Sequence, residues 1–184
     1  MKRATGSFFI GLLAVAWFLL PLNSARAEVT CANQNSAVTA TTPTADFSDN
    51  GDGTVTHTPT GLIWMRCSLG QSWDGSTCNG TATTYTWQQA LDAAQTLNDG
   101  AGYAGHNDWR LPNKNELESI VERRCWSPTI NAAIFPNTPS AWFWSSSPYA
   151  YGANDAWGVN FGSGGVGNYG KNVSYRVRLV RAGQ

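Results

Sequence analysis

Two spacings of apolar residues divide the chain into predicted helices and strands. Helical spacing, with an apolar residue at every third or fourth position, occurs in two stretches. The apolar positions of the first stretch are Trp87, Ala90, Leu91, Ala94 and Leu97, and those of the second are Leu117, Ile120 and Val121. Thr86 and Asn113 can cap these stretches, with Gln89 and Glu116 standing three positions later, as in a capping box. We therefore predict two helices, the first of which ends near Gly100.

Short apolar runs, many of them alternating with polar residues, predict antiparallel strands. The predicted strands are residues 54–56 and 62–65, which would form a hairpin, and residues 142–148, 157–161, 166–169 and 175–180. In the last of these, Tyr175, Val177 and Leu179 are expected to share one face. Arg176 and Arg178 would then lie on the opposite face. Together with the helices, these strands predict an α+β fold.

The stretch W-R-L-P leads directly into the second predicted helix. Because a proline disfavours helical backbone in the residue before it, Leu111 is expected to be extended. An extended run joined to a short helix would place Trp109 and Leu111 beneath that helix, so we predict that both side chains are buried. Arg110 is predicted to form a structural ion pair with Asp108 or Glu116.

Residues 1–27 have the organisation of a signal peptide. Two basic residues precede an apolar run over residues 8–22, and A-R-A at residues 25–27 matches a cleavage site. The run is short for a membrane-spanning helix, which disfavours the alternative of an uncleaved anchor. We therefore expect a secreted, periplasmic or cell-surface protein without a membrane span after cleavage. It would have an N-terminal arm over residues 28–46 and one domain over residues 47–184.

Cleavage would also change the charge of the chain. It would remove three of the 12 basic residues and none of the 12 acidic ones. The small net negative charge that remains argues against a nucleic-acid partner. The many aromatic residues disfavour disorder.

Four cysteines follow the predicted cleavage site, and an even number in an exported chain predicts two disulfides. Of the three possible pairings, Cys67–Cys78 is favoured because these residues flank a short loop. That choice leaves Cys31–Cys125 as the second pair. A zinc site is disfavoured, since the chain has no close C-x-x-C pair and only two histidines. We expect no cofactor.

No recognised motif in the chain predicts catalysis, so we expect no enzymatic activity. His106 lies in a loop without a recognisable partner. Glu118 and Glu122 stand four residues apart and are expected to be surface charges. Asp49 and Asp52 offer oxygen ligands for calcium in an Asp/Gly-rich turn. The turn lacks the spacing of an EF-hand loop, which favours a plain turn.

Residues 149–175 combine aromatic residues with small polar ones. Tyrosine supplies rigid contact area and Asn, Asp and Ser supply hydrogen bonds, as in antibody paratopes. The candidate binding residues are Tyr149, Tyr151, Asn154, Asp155, Asn160, Asn168, Tyr169 and Asn172. We expect most of these side chains to be exposed and Trp157 to lie mostly in the core; the alternative is a glycine-rich sheet whose aromatic residues are all core. Arg123 and Arg124 form a second candidate patch, for an anionic ligand, although complementarity with the helix-end dipole explains them equally well.

Four short motifs occur in a characteristic order. They are T-G-L-I-W-M at 60–65, T-W-Q-Q-A at 86–90, W-R-L-P-N at 109–113 and V-R-L-V-R at 177–181. Over residues 47–184 the chain thereby resembles the Lcl C-terminal domain family, named for a bacterial collagen-like adhesin. It is also distantly similar to the formylglycine-generating-enzyme branch of the C-type lectin fold. These resemblances imply a C-type-lectin-like α+β fold, with two helices packed on a twisted, mostly antiparallel sheet and extensive loops.

The resemblance implies binding rather than catalysis. Formylglycine-generating enzymes need paired redox cysteines near their C-terminal part, and no cysteine follows Cys125. We expect an exported module that recognises a glycan or a protein through its C-terminal loops. Some members of this family are diversified by retroelements that mutate adenines, and Asn, Tyr, Ser, Asp and Gly interconvert by such changes. A diversified receptor or adhesin is therefore a further hypothesis, and the alternatives are a periplasmic enzyme related to the formylglycine branch and a purely structural surface domain.

Overall fold

The computed structural model describes Met1 and residues 28–183, so the predicted signal peptide, apart from Met1, lies outside the described residues. Within this part of the chain, no helix has the length and apolar character needed to cross a membrane. The helices are α1 (Trp87–Asp99), α2 (Lys114–Glu118) and a 3-10 helix at Thr44–Asp46. The strands are β1 (Asn33–Gln34), β2 (Phe47–Asp49), β3 (Thr54–His57), β4 (Leu62–Met65), β5 (Ser72–Trp73), β6 (Cys78–Asn79), β7 (Thr84–Tyr85), β8 (Cys125–Trp126), β9 (Trp142–Pro148), β10 (Asp155–Asn160), β11 (Val166–Gly170), β12 (Tyr175–Arg176) and β13 (Val180–Ala182).

The strands form two main sheets, which are mostly antiparallel, so the fold is α+β as predicted. The larger sheet has the order β11-β10-β9-β12-β7, in which β12 and β9 are parallel. The smaller sheet has the order β13-β4-β3-β2. It contains the predicted hairpin, in which Thr54 of β3 lies opposite Met65 of β4. The short ladders β1–β8 and β5–β6 hold the surrounding loops.

Both predicted helices are present with their predicted caps. The Thr86 side chain accepts a hydrogen bond from the backbone of Gln89, whose side chain accepts one from the Thr86 amide at 2.9 Å. Asn113 and Glu116 form the same reciprocal pair, at 2.9 and 2.7 Å. Helix α1 also stops where predicted, with Gly100 as its C-terminal cap. Each helix therefore starts from groups that satisfy its first free amides.

Helix α2 ends earlier than the apolar spacing predicts. Its last residue is Glu118, and the buried Ile120 and Val121 follow the helix instead of belonging to it. Because the chain leaves the helix there, Glu122 does not share the surface of α2 with Glu118. The prediction that both residues are surface charges is therefore wrong for Glu122, which is 0% exposed.

The buried Glu122 carboxylate holds the N-terminal arm against the domain. It accepts hydrogen bonds from the backbone amides of Thr41 at 2.9 Å and Thr42 at 2.6 Å, which belong to the arm. The amide of Arg124 donates a third, at 2.8 Å. These amides satisfy a charge that would be costly to bury alone. The β1–β8 ladder attaches the arm at a second place.

The two predicted disulfides are confirmed. Cys31–Cys125 joins the arm to β8, with Cα atoms 5.3 Å apart. Cys67–Cys78 closes the loop that carries β5, with Cα atoms 5.4 Å apart. Among the described residues, no cysteine is free.

The Asp/Gly-rich turn is held by contacts within the protein. The Asp49 carboxylate pairs with Arg66 at 2.6 Å and accepts a hydrogen bond from the Gly51 amide at 2.9 Å. Asp52 accepts one from the Thr54 amide, also at 2.9 Å. Both carboxylates therefore stabilise the turn itself, as the plain-turn interpretation expects.

The W-R-L-P stretch connects the helices through the core. Trp109 and Leu111 are 1% and 2% exposed, as predicted. The backbone amide and carbonyl of Trp109 both bond to the side chain of Asn98 in α1, at 3.0 and 2.7 Å. Arg110 forms the predicted ion pair with Glu116 in α2, at 2.7 Å. The stretch is therefore fixed to both helices.

Two clusters of buried apolar side chains pack on opposite faces of the larger sheet. Alternation along β9 sends Phe143 into one cluster and Trp144 into the other. The α2-side cluster includes Leu117, Ile120, Phe143, Val159 and Phe161, and the α1-side cluster includes Ala90, Ala94, Trp109, Leu111, Trp144 and Ala156. The sheet is therefore a central layer with one helix on each face.

The C-terminal stretch departs from the single strand that was predicted. Residues 177–179 separate β12 from β13 because they cross from the larger sheet to the smaller one. The crossing is buried on all sides, and Arg178 is 0% exposed. Its guanidinium donates hydrogen bonds to the Met65 carbonyl at 2.9 Å and the Thr138 hydroxyl at 2.6 Å. Burial lowers the pKa of Arg178 to about 9.

Candidate functional site

The serines of β9 anchor the start of both helices. The register changes between Trp144, which faces Gly158, and Pro148, which faces Ala156, so β9 bulges over the three serines. The indole of Trp87, the first residue of α1, donates to the Ser145 carbonyl at 2.8 Å, and the amide of Lys114, the first residue of α2, donates to the Ser147 hydroxyl at 3.0 Å. This serine stretch therefore has a structural role next to the candidate surface.

The loop after β9 is closed by hydrogen bonds of its own backbone. The Tyr149 amide donates to the Asp155 carbonyl at 3.0 Å, and the Asp155 amide donates to the Gly152 carbonyl at 2.9 Å. Lys171 joins this loop to the turn after β11, because its amide donates to the Asn154 carbonyl at 2.7 Å. The candidate residues of the loop therefore stand on an ordered support.

The hairpin of β10 and β11 divides the candidate residues between two faces of the sheet. Trp157 lies opposite Asn168, and Ala156 lies opposite Tyr169. Since side chains alternate along a strand, Asp155, Trp157 and Asn168 face the α2 side, whereas Tyr169 faces the α1 side. The candidates predicted from composition therefore do not form one surface.

The residues on the α2 side form a group that we name the Tyr151 patch. Its members are Lys114, Tyr149, Tyr151, Asp155, Trp157 and Asn168. The ring of Tyr149 stands nearly perpendicular to Trp157 at a centroid distance of 5.2 Å, and Tyr151 follows at 5.8 Å. The Lys114 ammonium lies 5.3 Å from the centre of the Trp157 ring. Tyr151 is 92% exposed, so a supported row of side chains ends in one open aromatic ring.

Asp155 and Asn168 form the polar part of the Tyr151 patch. The Asn168 side-chain amide donates to the Asp155 carboxylate at 3.3 Å across the hairpin. Both residues are half-buried, less exposed than expected, because they lie within strands. Asp155 and Lys171 are the only charged residues between 149 and 175, and the Lys171 ammonium is held by the Ala153 carbonyl at 2.7 Å. The patch therefore has little net charge.

Tyr169 lies in an aromatic group on the α1 side. Its ring centre is 4.6 Å from that of Trp142 and 5.4 Å from that of Tyr175. A Cβ added at Gly167 would stand 3.1 Å from both Trp142 and Tyr169, so a glycine is needed for this packing. Burial, with a smaller contribution from Tyr169, raises the pKa of Tyr175. Tyr169 is half-buried and extends the core, contrary to its expected exposure.

The remaining candidates occupy turns. Asn160 is half-buried, since its side-chain oxygen accepts a hydrogen bond from the Gly162 amide at 2.6 Å and closes the β10–β11 turn. Asn154 and Asn172 are exposed in the loop and in the turn after β11. Sequence reasoning missed Lys114, and it assigned Trp157 mostly to the core. The helix-start signal at Asn113 marks the position of Lys114, but only the folded register brings it to Trp157.

Arg123 and Arg124 lie away from the Tyr151 patch. They line an open cleft between the N-terminal arm and the β10–β11 turn, together with Trp126 and Ser163. Arg123 is paired with Glu118 at 2.8 Å.

Across the described part of the chain, no three His, Cys, Asp or Glu residues stand close enough together to hold a metal ion.

These features define a disulfide-bonded α+β domain with an aromatic and polar surface at one end of its larger sheet. The family model of the Lcl C-terminal domain matches residues 53–181, so the chain belongs to this family. The match covers the hairpin of the smaller sheet, both helices and the whole of the larger sheet, which carries the Tyr151 patch. Comparison with curated proteins finds no match.

Proposed function

We propose that the protein is an exported, non-catalytic binding module that recognises a glycan or a protein through the Tyr151 patch. The observation that carries this proposal is the exposure of Tyr151, which is 92% exposed although Tyr149 and Trp157 hold its neighbourhood in place. Rigid aromatic side chains at an ordered surface supply contact area at little entropic cost. Aromatic residues of this kind are common anchors of binding.

Other features of the fold support a role in recognition. Membership of the Lcl C-terminal domain family supports an adhesin-like role. A C-type-lectin-like fold is part of the proposal, since helices lie on both faces of a mostly antiparallel sheet and the C-terminal half supplies the exposed loops. The Tyr, Asn and Asp content of residues 149–172 also supports the hypothesis of a retroelement-diversified receptor.

Export to the periplasm, the cell surface or the medium is supported by the cysteines. Both pairs, Cys31–Cys125 and Cys67–Cys78, are joined as disulfides, which persist in oxidising compartments. The absence of catalysis remains a proposal. It is supported by the sequence, in which no recognised motif predicts catalysis.

Binding screens with one double variant test this function. The mature protein is screened against a glycan array and a panel of purified surface proteins, and each confirmed ligand is measured again with Tyr151→Ala/Asn168→Ala. We expect this variant to weaken binding by about tenfold or more, since removal of an anchor residue costs roughly 2 kcal/mol. Its melting temperature should stay within about 2 °C of wild type.

Trp126→Ala is the matched control, because Trp126 is 47% exposed and lies on β8 outside the Tyr151 patch. This variant should bind every confirmed ligand as wild type does. If the double variant instead bound all confirmed ligands with unchanged affinity, recognition would lie elsewhere. The cleft of Arg123 and Arg124 would then be tested with an anionic polysaccharide.

A further inference from the structure

Tyr151 presents an open aromatic ring that is supported from behind. Its nearest aromatic neighbour is Tyr149, at a centroid distance of 5.8 Å and an interplanar angle of 59°, so the two rings do not stack face to face. Tyr149 rests against Trp157, and Lys114 lies over Trp157 in turn. The apolar C–H face of a pyranose can pack on such a ring, because both surfaces are flat and apolar.

A pair of polar groups stands beside these rings. The Asn168 side-chain amide donates one of its two N–H groups to Asp155, so its second N–H and its oxygen are available to a ligand. The Asp155 carboxylate also has further acceptor positions. Gly152 keeps this carboxylate close to Tyr149: a Cβ there would stand 3.1 Å from Asp155 Oδ2 and 3.4 Å from Tyr149 Cδ1. The carboxylate can accept hydrogen bonds from sugar hydroxyls, and the N–H of the neighbouring amide can donate to them.

The charges of the Tyr151 patch favour a neutral ligand. The patch contains one acidic residue, Asp155, and one basic residue, Lys114. A polyanionic chain would need several cations in a row to replace its counterions. The one basic residue between 149 and 175 is Lys171, whose ammonium is held by the Ala153 carbonyl and by contact with Trp87.

The size of the exposed apolar surface favours a saccharide over a protein. A stable protein–protein interface buries about 800 Å² on each partner and uses several large anchors. In the described part of the chain, the exposed large apolar side chains are Met1, Trp126, Tyr151 and Val173. Tyr151 is the one fully exposed ring in its patch, and one ring with two polar groups matches the footprint of one or two sugar units.

We infer that the Tyr151 patch binds a neutral saccharide. A pyranose ring stacks on Tyr151, and its hydroxyls donate to the Asp155 carboxylate and hydrogen-bond with the Asn168 amide. This inference rests on the proposed binding function, and it names the class of ligand. Because the patch contains a single basic residue, Lys114, binding depends only weakly on salt.

The test is a titration of the full mature protein with four neutral hexasaccharides, made of glucose in α and β linkage, of N-acetylglucosamine and of mannose. Isothermal calorimetry gives the affinity. We expect at least one hexasaccharide to bind with Kd between about 10 µM and about 1 mM. This Kd should change less than about twofold when NaCl is raised from about 50 mM to about 500 mM, since no strong ion pair forms.

Three variants locate the saccharide. Tyr151→Ala should raise Kd by about tenfold or more, whereas Tyr151→Phe, which keeps the ring, should stay within about threefold of wild type. Asp155→Asn should also weaken binding, because a neutral amide is a poorer acceptor for hydroxyl groups than a carboxylate. Trp126→Ala is the control and should leave Kd unchanged.

Several results would overturn the inference. It fails if none of the hexasaccharides binds at about 10 mM, a concentration well above the expected Kd. It also fails if Tyr151→Ala binds the saccharide as tightly as wild type. If a purified surface protein, or a sulfated hexasaccharide with strong salt dependence, is the ligand lost in Tyr151→Ala/Asn168→Ala, the patch is a recognition surface and only the saccharide inference is wrong. If every ligand found binds that variant normally, both proposals are wrong.

Discussion

Arg110 and Val180 exchange both of their backbone hydrogen bonds, at 2.9 Å from the Arg110 amide and 3.0 Å from the Val180 amide. This single bridge joins the W-R-L-P stretch to β13 at the edge of the smaller sheet. Trp109 and Leu111, on either side of Arg110, are thereby held in the α1-side core. The stretch connects the smaller sheet with both helices, so its side chains should carry much of the stability.

The first prediction concerns these core residues. Trp109→Ala should lower the free energy of unfolding by about 3–5 kcal/mol and Leu111→Ala by about 2–5 kcal/mol, because each leaves a cavity in a packed core. Urea unfolding measures the loss. The exposed Asn107 lies in the preceding loop, and Asn107→Ala should stay within about 0.5 kcal/mol of wild type. Wild-type stability in either core variant would contradict the central role of this stretch.

The second prediction concerns Glu122. Glu122→Gln removes a buried charge that accepts hydrogen bonds from Thr41 and Thr42, so the arm should loosen around these two residues and stability should fall by about 1–3 kcal/mol. Limited proteolysis should then cut within residues 28–46 faster than in wild type. Glu118→Gln is the matched control, because Glu118 is partly exposed and its ion pair with Arg123 is worth little. Equal cleavage of the two variants would argue against the proposed clamp.

The third prediction concerns pH. The hydrogen bond from Arg181 lowers the pKa of Asp108 below its usual 3.8, and that from Arg110 lowers the pKa of Glu116 below 4.5. In both cases the pKa of the carboxyl is lower in the folded protein than in the unfolded chain. Each contact therefore stabilises the fold fully at pH values above the usual pKa of the carboxyl. This stabilisation is lost as the pH falls through the folded values.

The measurement is the melting temperature at about pH 7, above the usual pKa values of both groups, and at about pH 3, below those usual values. The melting temperature of wild type should fall further between these two pH values than that of Asp108→Asn/Glu116→Gln. This variant keeps the shape of both side chains without their charge. The side chains of Asp108 and Glu116 are both partly open to solvent. The difference in melting temperature between the two proteins should therefore be modest. An equal loss in both proteins would show that these ion pairs do not set the acid response.

The fourth prediction separates the two faces of the β10–β11 hairpin. Tyr169→Ala should destabilise the fold by about 1–3 kcal/mol, because Tyr169 packs on Trp142 and Tyr175. Tyr151→Ala should change stability by less than about 0.5 kcal/mol, because its ring is in solvent. Thermal unfolding of both variants decides between these expectations. A large loss in Tyr151→Ala would mean that Tyr151 supports the fold instead of presenting a surface.

The fifth prediction concerns the disulfide of the arm. Peptide mapping of unreduced exported protein should recover Cys31 linked to Cys125 and Cys67 linked to Cys78. Cys31→Ala/Cys125→Ala should cost about 2–5 kcal/mol, since this bond closes a long loop in the unfolded chain. Four free thiols in exported protein would contradict the pairing.

Local signals in the sequence were sufficient for much of the fold. Capping residues and apolar spacing placed both helices, because helix starts depend on residues within one turn. The burial of Trp109 and Leu111 followed from their position between an extended run and a helix. The N-terminal hairpin and the disulfides were also predictable, since short turns and cysteine spacing leave few alternatives.

Features that depend on distant partners were not predictable. Arg178 lies where alternation predicts a strand face, but its burial depends on a crossing between two sheets and on carbonyls supplied by β4 and its neighbours. Glu122 is buried because the arm returns to cover it. In the candidate site, composition identified Tyr151 and Asp155. It could not separate them from Tyr169, because the faces are assigned by the register of β10 and β11.

The hydrogen bonds of Ser145 and Ser147 have a consequence for cooperativity. Trp87 and Lys114, which begin the two helices, are both held by this one short stretch of β9. Opening the stretch would release both helices together, so their slowest amide protons should exchange with solvent through a common event. The loop at residues 149–155 is linked to the start of α1 through Lys171, whose amide donates to the Asn154 carbonyl and whose carbonyl accepts from the Trp87 amide. The Tyr151 side chain is itself exposed, so its substitution should leave the common opening event unchanged.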